Sequence, residues 1–310
     1  MINILFTANS QRWAQYEKPL RHALDDTGLP YVLSQKFTDP ETVDYLIYAP
    51  KGSVSDFTPF IRAKAVLGLW AGVEAVVDNE TLTIPLTRMV DHGLSQGMVE
   101  WVTGHVLRHH LGMDRHISGQ DGQWRDYIPP LARDRHVTVL GLGALGGACA
   151  RALAALNFNV TGWSRSRKTI SGINCLSGGA GLDQALVSAE ILVLLLPLTP
   201  ATENLLNNAR LSKMPRGGVI INPGRGALID DDALLACLDN GHLNHATLDV
   251  FRTEPLPENH PFWAHNKVTV TPHIASETRP DTASQVIADN ISRSEKGLAL
   301  RYLVDRNAGY

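Results

Sequence analysis

Cysteine is scarce. The 310-residue chain has three, Cys149, Cys175 and Cys237, at wide and unrelated spacings. They form no CxxC pair and no even-numbered set, which excludes a disulfide framework and suits a reducing compartment. An excess of one charge sign is also lacking, since 28 Lys and Arg against 31 Asp and Glu give a net charge of −3. That balance leaves no overall basic footprint for nucleic acid and no acidic, disordered character. The opening MINILFTANSQR has no basic n-region, and its apolar run is too short for a signal peptide. Only Val137–Leu156 is long and apolar enough to suggest a bilayer span, with Arg151 as its single charge. Its glycines at 141, 143, 146 and 147 stand at a functional spacing and argue against a membrane helix. A soluble, cytoplasmic protein is expected, of about two domains at this length.

What is present is alternation. Asn3–Thr7 reads as a strand, and helical and strand-like pieces follow at Trp13–Leu24, Tyr31–Leu33, Tyr45–Tyr48, Pro59–Ala63 and Ala65–Leu69. Gly97–Leu111 predicts a long helix, and Gly112–Arg135 an irregular arm. A second series then begins with strands at Val137–Leu140, Asn159–Trp163, Ile191–Leu195, Gly218–Asn222, Ala246–Asp249 and Val268–Thr271. Helices fit at Ala144–Leu156, Thr202–Asn207, Asp231–Asn240 and Thr282–Lys296. Strands alternating with helices argue for parallel sheets. The expected fold is α/β, with two doubly wound parallel-sheet domains flanking a cleft. One is a Rossmann cofactor domain over 96–276. The other is a flavodoxin-like lid and substrate domain over 1–95 plus 277–310.

The strand ending at Leu140 runs into Gly141-Leu142-Gly143-Ala144-Leu145-Gly146 and opens a helix, which is the context a dinucleotide-binding glycine turn needs. Gly141 permits the turn, Gly143 lets N–H groups approach a pyrophosphate, and Gly146 lets the helix pack on the sheet. The alternative is a turn whose glycines serve packing alone. After the next strand, an NAD-selective site would carry an acidic residue for the ribose hydroxyls. Here stand Ser164-Arg165-Ser166-Arg167-Lys168. Guanidinium groups suit a 2′-phosphate, which predicts NADP(H) as the preferred cofactor with NAD(H) possible. A solvated basic loop is the alternative.

Three later strands end in Pro223-Gly224-Arg225-Gly226, Phe251-Arg252-Thr253-Glu254-Pro255-Leu256 and Pro272-His273-Ile274-Ala275-Ser276. Ligands of open α/β sheets bind beyond the carboxyl ends of strands, so Arg225, Glu254 and His273 are candidates for one site. Taken singly, each reads equally as a surface ion pair or a cap. His105 and His109, four apart on the expected helix, have zinc-compatible spacing but no intervening acid. No metal is expected there, and packing or a dimer contact is the better reading. His242 and His245 read as surface residues.

In this order, the glycine turn, N-x-x-R-G, D-V-F-x-x-E-P-L and P-H-I-x-S resemble the D-isomer-specific 2-hydroxyacid dehydrogenase family from end to end. Thr278-Arg279-Pro280 and the tail Val304-Asp305-Arg306…Gly309-Tyr310 resemble a bacterial branch that reduces glyoxylate and hydroxypyruvate. The resemblance implies that Arg225 clamps the substrate and polarises its keto group. It implies that His273 is the proton donor in reduction, paired with Glu254. It places Trp70, Ala71 and Gly72 at the substrate carboxylate, where a strand-end turn is the alternative. Pro197 and Leu198 fall beside the adenosine. Asp249 falls at the nicotinamide amide, or caps local backbone instead. Trp70 and Tyr48 are either pocket-shaping or ordinary core aromatics. A homodimer through Gly97–Leu111 and the arm Gly112–Arg135 is implied, with no nucleic-acid or membrane partner. The implied reaction is NADPH-dependent reduction of a small 2-keto acid to its 2-hydroxy acid. The alternatives are a dehydrogenase for a larger 2-keto acid and an NAD(P)-sensing binding protein on the same fold.

Overall fold

The computed structural model describes all 310 residues, Met1–Tyr310. Two compact units emerge: Met1–Leu94 with Glu277–Tyr310, and Ser95–Ser276.

The first unit runs β1 (Ile2–Phe6), α1 (Ser10–Asp25), β2 (Tyr31–Ser34), β3 (Tyr45–Tyr48), β4 (Ala65–Gly68) and β5 (Leu86–Thr87). α2 (His92–His110) carries the chain into the second unit, followed by α3 (Asp114–Ile117), β6 (His136–Leu140), α4 (Ala144–Ala155), β7 (Asn159–Ser164) and β8 (Asn174–Ser177). Next come α5 (Gly178–Val187), β9 (Ile191–Leu194), α6 (Asn208–Leu211), β10 (Gly218–Asn222), α7 (Asp231–Asp239), β11 (Leu243–Leu248) and β12 (Val268–Val270). α8 (Pro280–Glu295) belongs again to the first unit.

The first sheet has the order β2-β1-β3-β4-β5, all parallel, which is the flavodoxin-like arrangement. β3 and β4 are buried at every residue, as a parallel sheet covered on both faces requires. Side chains alternate between two cores. Ile4, Phe6, Tyr45 and Ile47 meet Leu20 and Leu24 of α1 and Ile287 and Ile291 of α8. Leu5, Leu46 and Val66 face the other way, onto Phe57, Val73 and Val304. No helix covers this second face. The β3–β4 and β4–β5 connections and the C-terminal tail do so as turns.

The second sheet has the order β12-β11-β10-β9-β6-β7-β8, again all parallel. Read from β6 as its first strand, this is the Rossmann order with one strand added, and its direction of winding reverses between β6 and β9. Val137, Val139, Ile191, Val193 and Ile221 fill one core, while Leu140, Leu192, Leu194 and Ile220 fill the other.

Several elements depart from expectation. The long helix begins at His92 rather than Gly97, because the Asp91 carboxylate takes the Leu94 N–H at 3.2 Å and caps it. Thr202–Asn207 is not helical. There the Thr202 hydroxyl donates to the Pro197 carbonyl at 2.7 Å and accepts from the Thr199 N–H at 2.8 Å, a local solution that competes with a helix. The helix follows instead as α6, with Asn207 as its cap. α5, β5 and β8 were not expected, and Pro59–Ala63 forms turns. The arm Gly112–Arg135 contains the single turn α3 and a short 3-10 turn at Ala132–Asp134. No helix is long and apolar enough to cross a membrane.

Candidate active site

The glycine turn stands at the carboxyl end of β6, beside the point where the strand order reverses. Gly141 has φ +103°, and a Cβ there would strike the Leu195 carbonyl beyond β9. A Cβ on Gly146 would strike the Gly141 carbonyl, so both positions are closed to side chains. Gly143 differs. It has ordinary extended backbone as the N-cap of α4, and a Cβ there would meet nothing within 4 Å. Nothing in the protein requires glycine at 143; the space above it is open. No side chain caps α4 and no acidic residue lies in its first turn, so the N–H groups near Ala144 and Leu145 face outward with their partial positive charge.

The Gly141 N–H donates to the Trp163 carbonyl at 2.8 Å, which places the end of β7 beside the turn. There Ser164 is buried, and its hydroxyl donates to the Ser166 carbonyl at 2.7 Å. Its proton therefore shapes the loop, while Arg165, Ser166, Arg167 and Lys168 are exposed. Pro197 and Leu198 follow β9 on the other side, both half-buried.

β10, β11 and β12 are neighbours in register, so the three loops that follow them lie side by side. Asn222, 1% exposed, ties the first: its amide donates to the Arg225 carbonyl at 2.9 Å, and its Oδ1 accepts from the Gly224 N–H at 3.1 Å. Arg225 is half-buried, with Nη1 2.7 Å from the Gly224 carbonyl. In the other two loops, His273 Nδ1 lies 2.7 Å from Glu254 Oε2, and Glu254 Oε1 accepts from the Phe251 N–H at 2.9 Å. One carboxylate thus joins both loops. His273 itself has φ +54°, a left-handed conformation uncommon outside glycine. Its N–H donates to the Asp249 carbonyl at 2.8 Å, and half of its side chain remains exposed.

With that geometry in place, the similarities are informative. A family model for the NAD-binding domain of D-isomer-specific 2-hydroxyacid dehydrogenases matches residues 102–275. The chain belongs to this dehydrogenase family. A glyoxylate/hydroxypyruvate reductase A of Serratia proteamaculans is 40% identical over 80% of this chain and 82% of its own. A family member from Xanthobacter autotrophicus Py2, solved with NADPH and MES, is 39% identical with a TM-score of 0.91, covering 99% of both chains. An NADPH-dependent glyoxylate/hydroxypyruvate reductase from Sinorhizobium meliloti, solved with NADP and sulfate, is 35% identical with a TM-score of 0.87, covering 100% of this chain and 99% of its own.

In this dehydrogenase, Asp249 plays the local backbone role that the sequence left open. It is 1% exposed; Oδ1 accepts from the Thr271 hydroxyl at 2.6 Å and the Ile274 N–H at 2.9 Å, and Oδ2 from the Ala275 N–H at 2.8 Å. The aspartate therefore builds the turn that holds His273. Trp70, Ala71 and Gly72 follow β4 in the first unit, where Trp70 and Gly72 line a narrow crevice with Tyr48, Pro50, Gly68 and Val73. Tyr48 is a core aromatic, 8% exposed, whereas Trp70 is 41% exposed.

The reading of His242 and His245 as surface residues needs correction. His245 Nε2 lies 2.8 Å from the Thr269 hydroxyl, and its ring centroid lies 5.0 Å from that of His109. His109 bonds in turn to the Thr247 hydroxyl at 2.8 Å, and His242 Nε2 lies 3.2 Å from the Leu211 carbonyl. Burial, aided by neighbouring cations, pushes His109 down to about 3 and His245 to about 4. Both are neutral packing residues. Sequence reasoning also passed over Asn222 and Thr271 as supports of Arg225 and His273. Their position at strand ends, two or three residues before the candidate side chain, is the signal that could have found them.

Proposed function

We propose that the chain reduces small 2-keto acids, glyoxylate to glycolate and hydroxypyruvate to D-glycerate, with NADPH as the preferred cofactor and NAD(H) left open. The observation that carries this reading is the His273–Glu254 pair, 2.7 Å apart at the carboxyl edge of a Rossmann sheet. When bound, the reduced nicotinamide supplies the hydride for the keto carbon.

The second unit offers that cofactor what it needs. The open space above Gly143 and the uncapped start of α4 suit a pyrophosphate. Arg165, Ser166 and Arg167 suit a 2′-phosphate, and Pro197 and Leu198 suit the adenosine side. Asp249 serves the site through the turn it builds around His273.

This chain's own residues do the rest. Arg225 holds the anionic substrate and draws electron density toward the keto oxygen, where negative charge develops. Glu254 accepts from Nδ1–H of His273 and so orients the ring; in its charged form the imidazole also carries Nε2–H, which protonates the developing alkoxide and leaves the neutral Nδ1–H tautomer. In the reverse direction Nε2 accepts that proton. In the first unit, the backbone N–H groups of Ala71 and Gly72 are donors suited to the substrate carboxylate, with Trp70 beside them.

A homodimer is part of the proposal. Its support is the arm, where Ile117, Trp124, Ile128 and Leu131 are 70%, 94%, 91% and 58% exposed, apolar surface of the kind a second copy covers. Three free thiols support a reducing, cytoplasmic location.

The test is loss of reduced-nicotinamide absorbance with purified protein, NADPH or NADH, and a graded series of 2-keto acids. NADPH consumption with glyoxylate and hydroxypyruvate, and little with phenylpyruvate, is expected. A preference for bulky acids would redirect the assignment to a larger-substrate dehydrogenase. Tight NADPH binding without turnover would make the chain a sensor.

A further inference from the structure

The tail motif Val304-Asp305-Arg306…Gly309-Tyr310 has no part in the chemistry above, yet every residue of it is engaged. Val304 is 7% exposed in the core under the β4–β5 connection, and its N–H donates to the Leu86 carbonyl at 2.8 Å. Leu303 bridges Thr87 in antiparallel fashion, and the Arg88 N–H donates to the Tyr302 carbonyl at 3.0 Å, so the tail extends the free edge of β5. Beyond Val304 the chain closes on itself. Asp305 Oδ1 accepts from the N–H groups of Asn307 at 3.0 Å and Ala308 at 3.1 Å, and the Asp305 N–H donates to the Tyr310 carbonyl at 3.1 Å.

That closed turn presents Arg306. Its guanidinium donates to three backbone carbonyls of one connection: Nε to Val77 at 2.9 Å, Nη2 to Asn79 at 2.8 Å, and Nη1 to Leu82. The connection has no helix to satisfy these carbonyls, and a five-donor planar group is suited to gather three at once. Asn79 secures the same segment from the other side, donating to the Ser55 carbonyl at 2.8 Å and accepting from the Thr81 N–H at 2.9 Å.

The segment so held begins at the proposed substrate loop. The Trp70 carbonyl is anchored to the Met89 N–H at 2.8 Å, and the Val73 carbonyl takes the N–H groups of Val76 and Val77, each at 2.9 Å. Ala71 and Gly72 are the two-residue span between those anchors. We propose that Arg306 is a positioning residue for substrate binding: through Val77, Asn79 and Leu82 it holds the 73–82 turns and thereby fixes the direction of the Ala71 and Gly72 N–H groups. This rests on the reading that those groups bind the substrate carboxylate.

Arg306→Ala and the conservative Arg306→Lys test it, with two readouts in the full-length chain. A misdirected carboxylate site weakens ground state and transition state alike. KM for glyoxylate should therefore rise by about tenfold or more in Arg306→Ala, with kcat much less changed and NADPH affinity unmoved. Arg306→Lys, which keeps the charge but not the fork, should fall between, and it carries the KM test if the alanine variant does not fold. Amide exchange should accelerate within 70–82 and not across the second unit. An unmoved KM, with or without faster exchange, overturns the proposal. So does a parallel loss of kcat and NADPH affinity. A wild-type chain that reduces no keto acid removes the underlying reading instead, and is distinguished by that control.

Discussion

The backbone N–H of His273 donates to the Asp249 carbonyl at 2.8 Å, and the carboxylate of the same aspartate receives the next two N–H groups, those of Ile274 and Ala275. The backbone at and after a left-handed histidine is thereby tied to one buried residue at the end of the neighbouring strand. Asp249→Asn keeps the shape but turns an NH2 toward a backbone N–H, leaving two donors face to face. We expect a stability loss of about 1–3 kcal/mol by urea titration. We also expect kcat to fall about tenfold or more as the imidazole loses its aim. An unchanged kcat would show that the turn keeps His273 in place without the carboxylate.

The contrast between Gly143 and Gly146 separates a cofactor role from a packing role. Gly143→Ala adds a methyl group to open space on permitted backbone, so the melting temperature should stay within about 2 °C. NADPH affinity should nevertheless fall about tenfold or more, because the methyl occupies the approach of the pyrophosphate. Gly146→Ala should instead destabilise the fold, since its Cβ meets the Gly141 carbonyl. Unaltered NADPH titration of Gly143→Ala would return the turn to packing alone.

Arg165 and Arg167 are exposed just beyond β7, where the proposed function puts the cofactor's 2′-phosphate. Replacing both by Gln should weaken NADPH by about 100-fold, the equivalent of one or two charge-assisted contacts, and NADH hardly at all. Equal losses for the two cofactors would show that these arginines do not read the phosphate.

The His109–His245 pair predicts an acid limit to stability. Both rings are neutral in the folded protein, at about 3 and about 4 against an ordinary 6.5. Arg108, Asp114, His105 and His265 are the charged and titratable groups around them. The unfolded chain binds their protons first, so their contribution is complete above about pH 6.5 and is lost as pH falls toward the folded values. Each proton steepens the decline by about 1.4 kcal/mol per pH unit. Urea midpoints between pH 7.5 and 5 should therefore fall less steeply in His109→Gln/His245→Gln than in wild type. Identical slopes would place the titration elsewhere.

Much of the second unit was legible because its signals are local. An apolar run followed by a glycine turn can do little else than end a buried strand and open a helix, and β6, β7 and β10 lie within a residue of their expected bounds. What escaped depends on partners distant in sequence. α5 opens with glycines of poor helix propensity and is held by Leu182, Ala185 and Leu186 in the core. His245 looks like a surface residue until Thr269 and His109 are brought to it. Asp249 shows its role only when the strand neighbouring its own delivers Thr271, Ile274 and Ala275. The family motifs named Arg225, Glu254 and His273; the structure adds the 2.7 Å contact between two of them and the supports beneath all three.

The most direct test of the central claim is NADPH oxidation by His273→Ala with glyoxylate, set beside NADPH affinity measured by fluorescence titration. Loss of the proton donor should lower turnover by about 10²–10⁴-fold while cofactor affinity stays at the wild-type value. Turnover at the wild-type rate would contradict the account, because the proton would then have to come from somewhere other than His273.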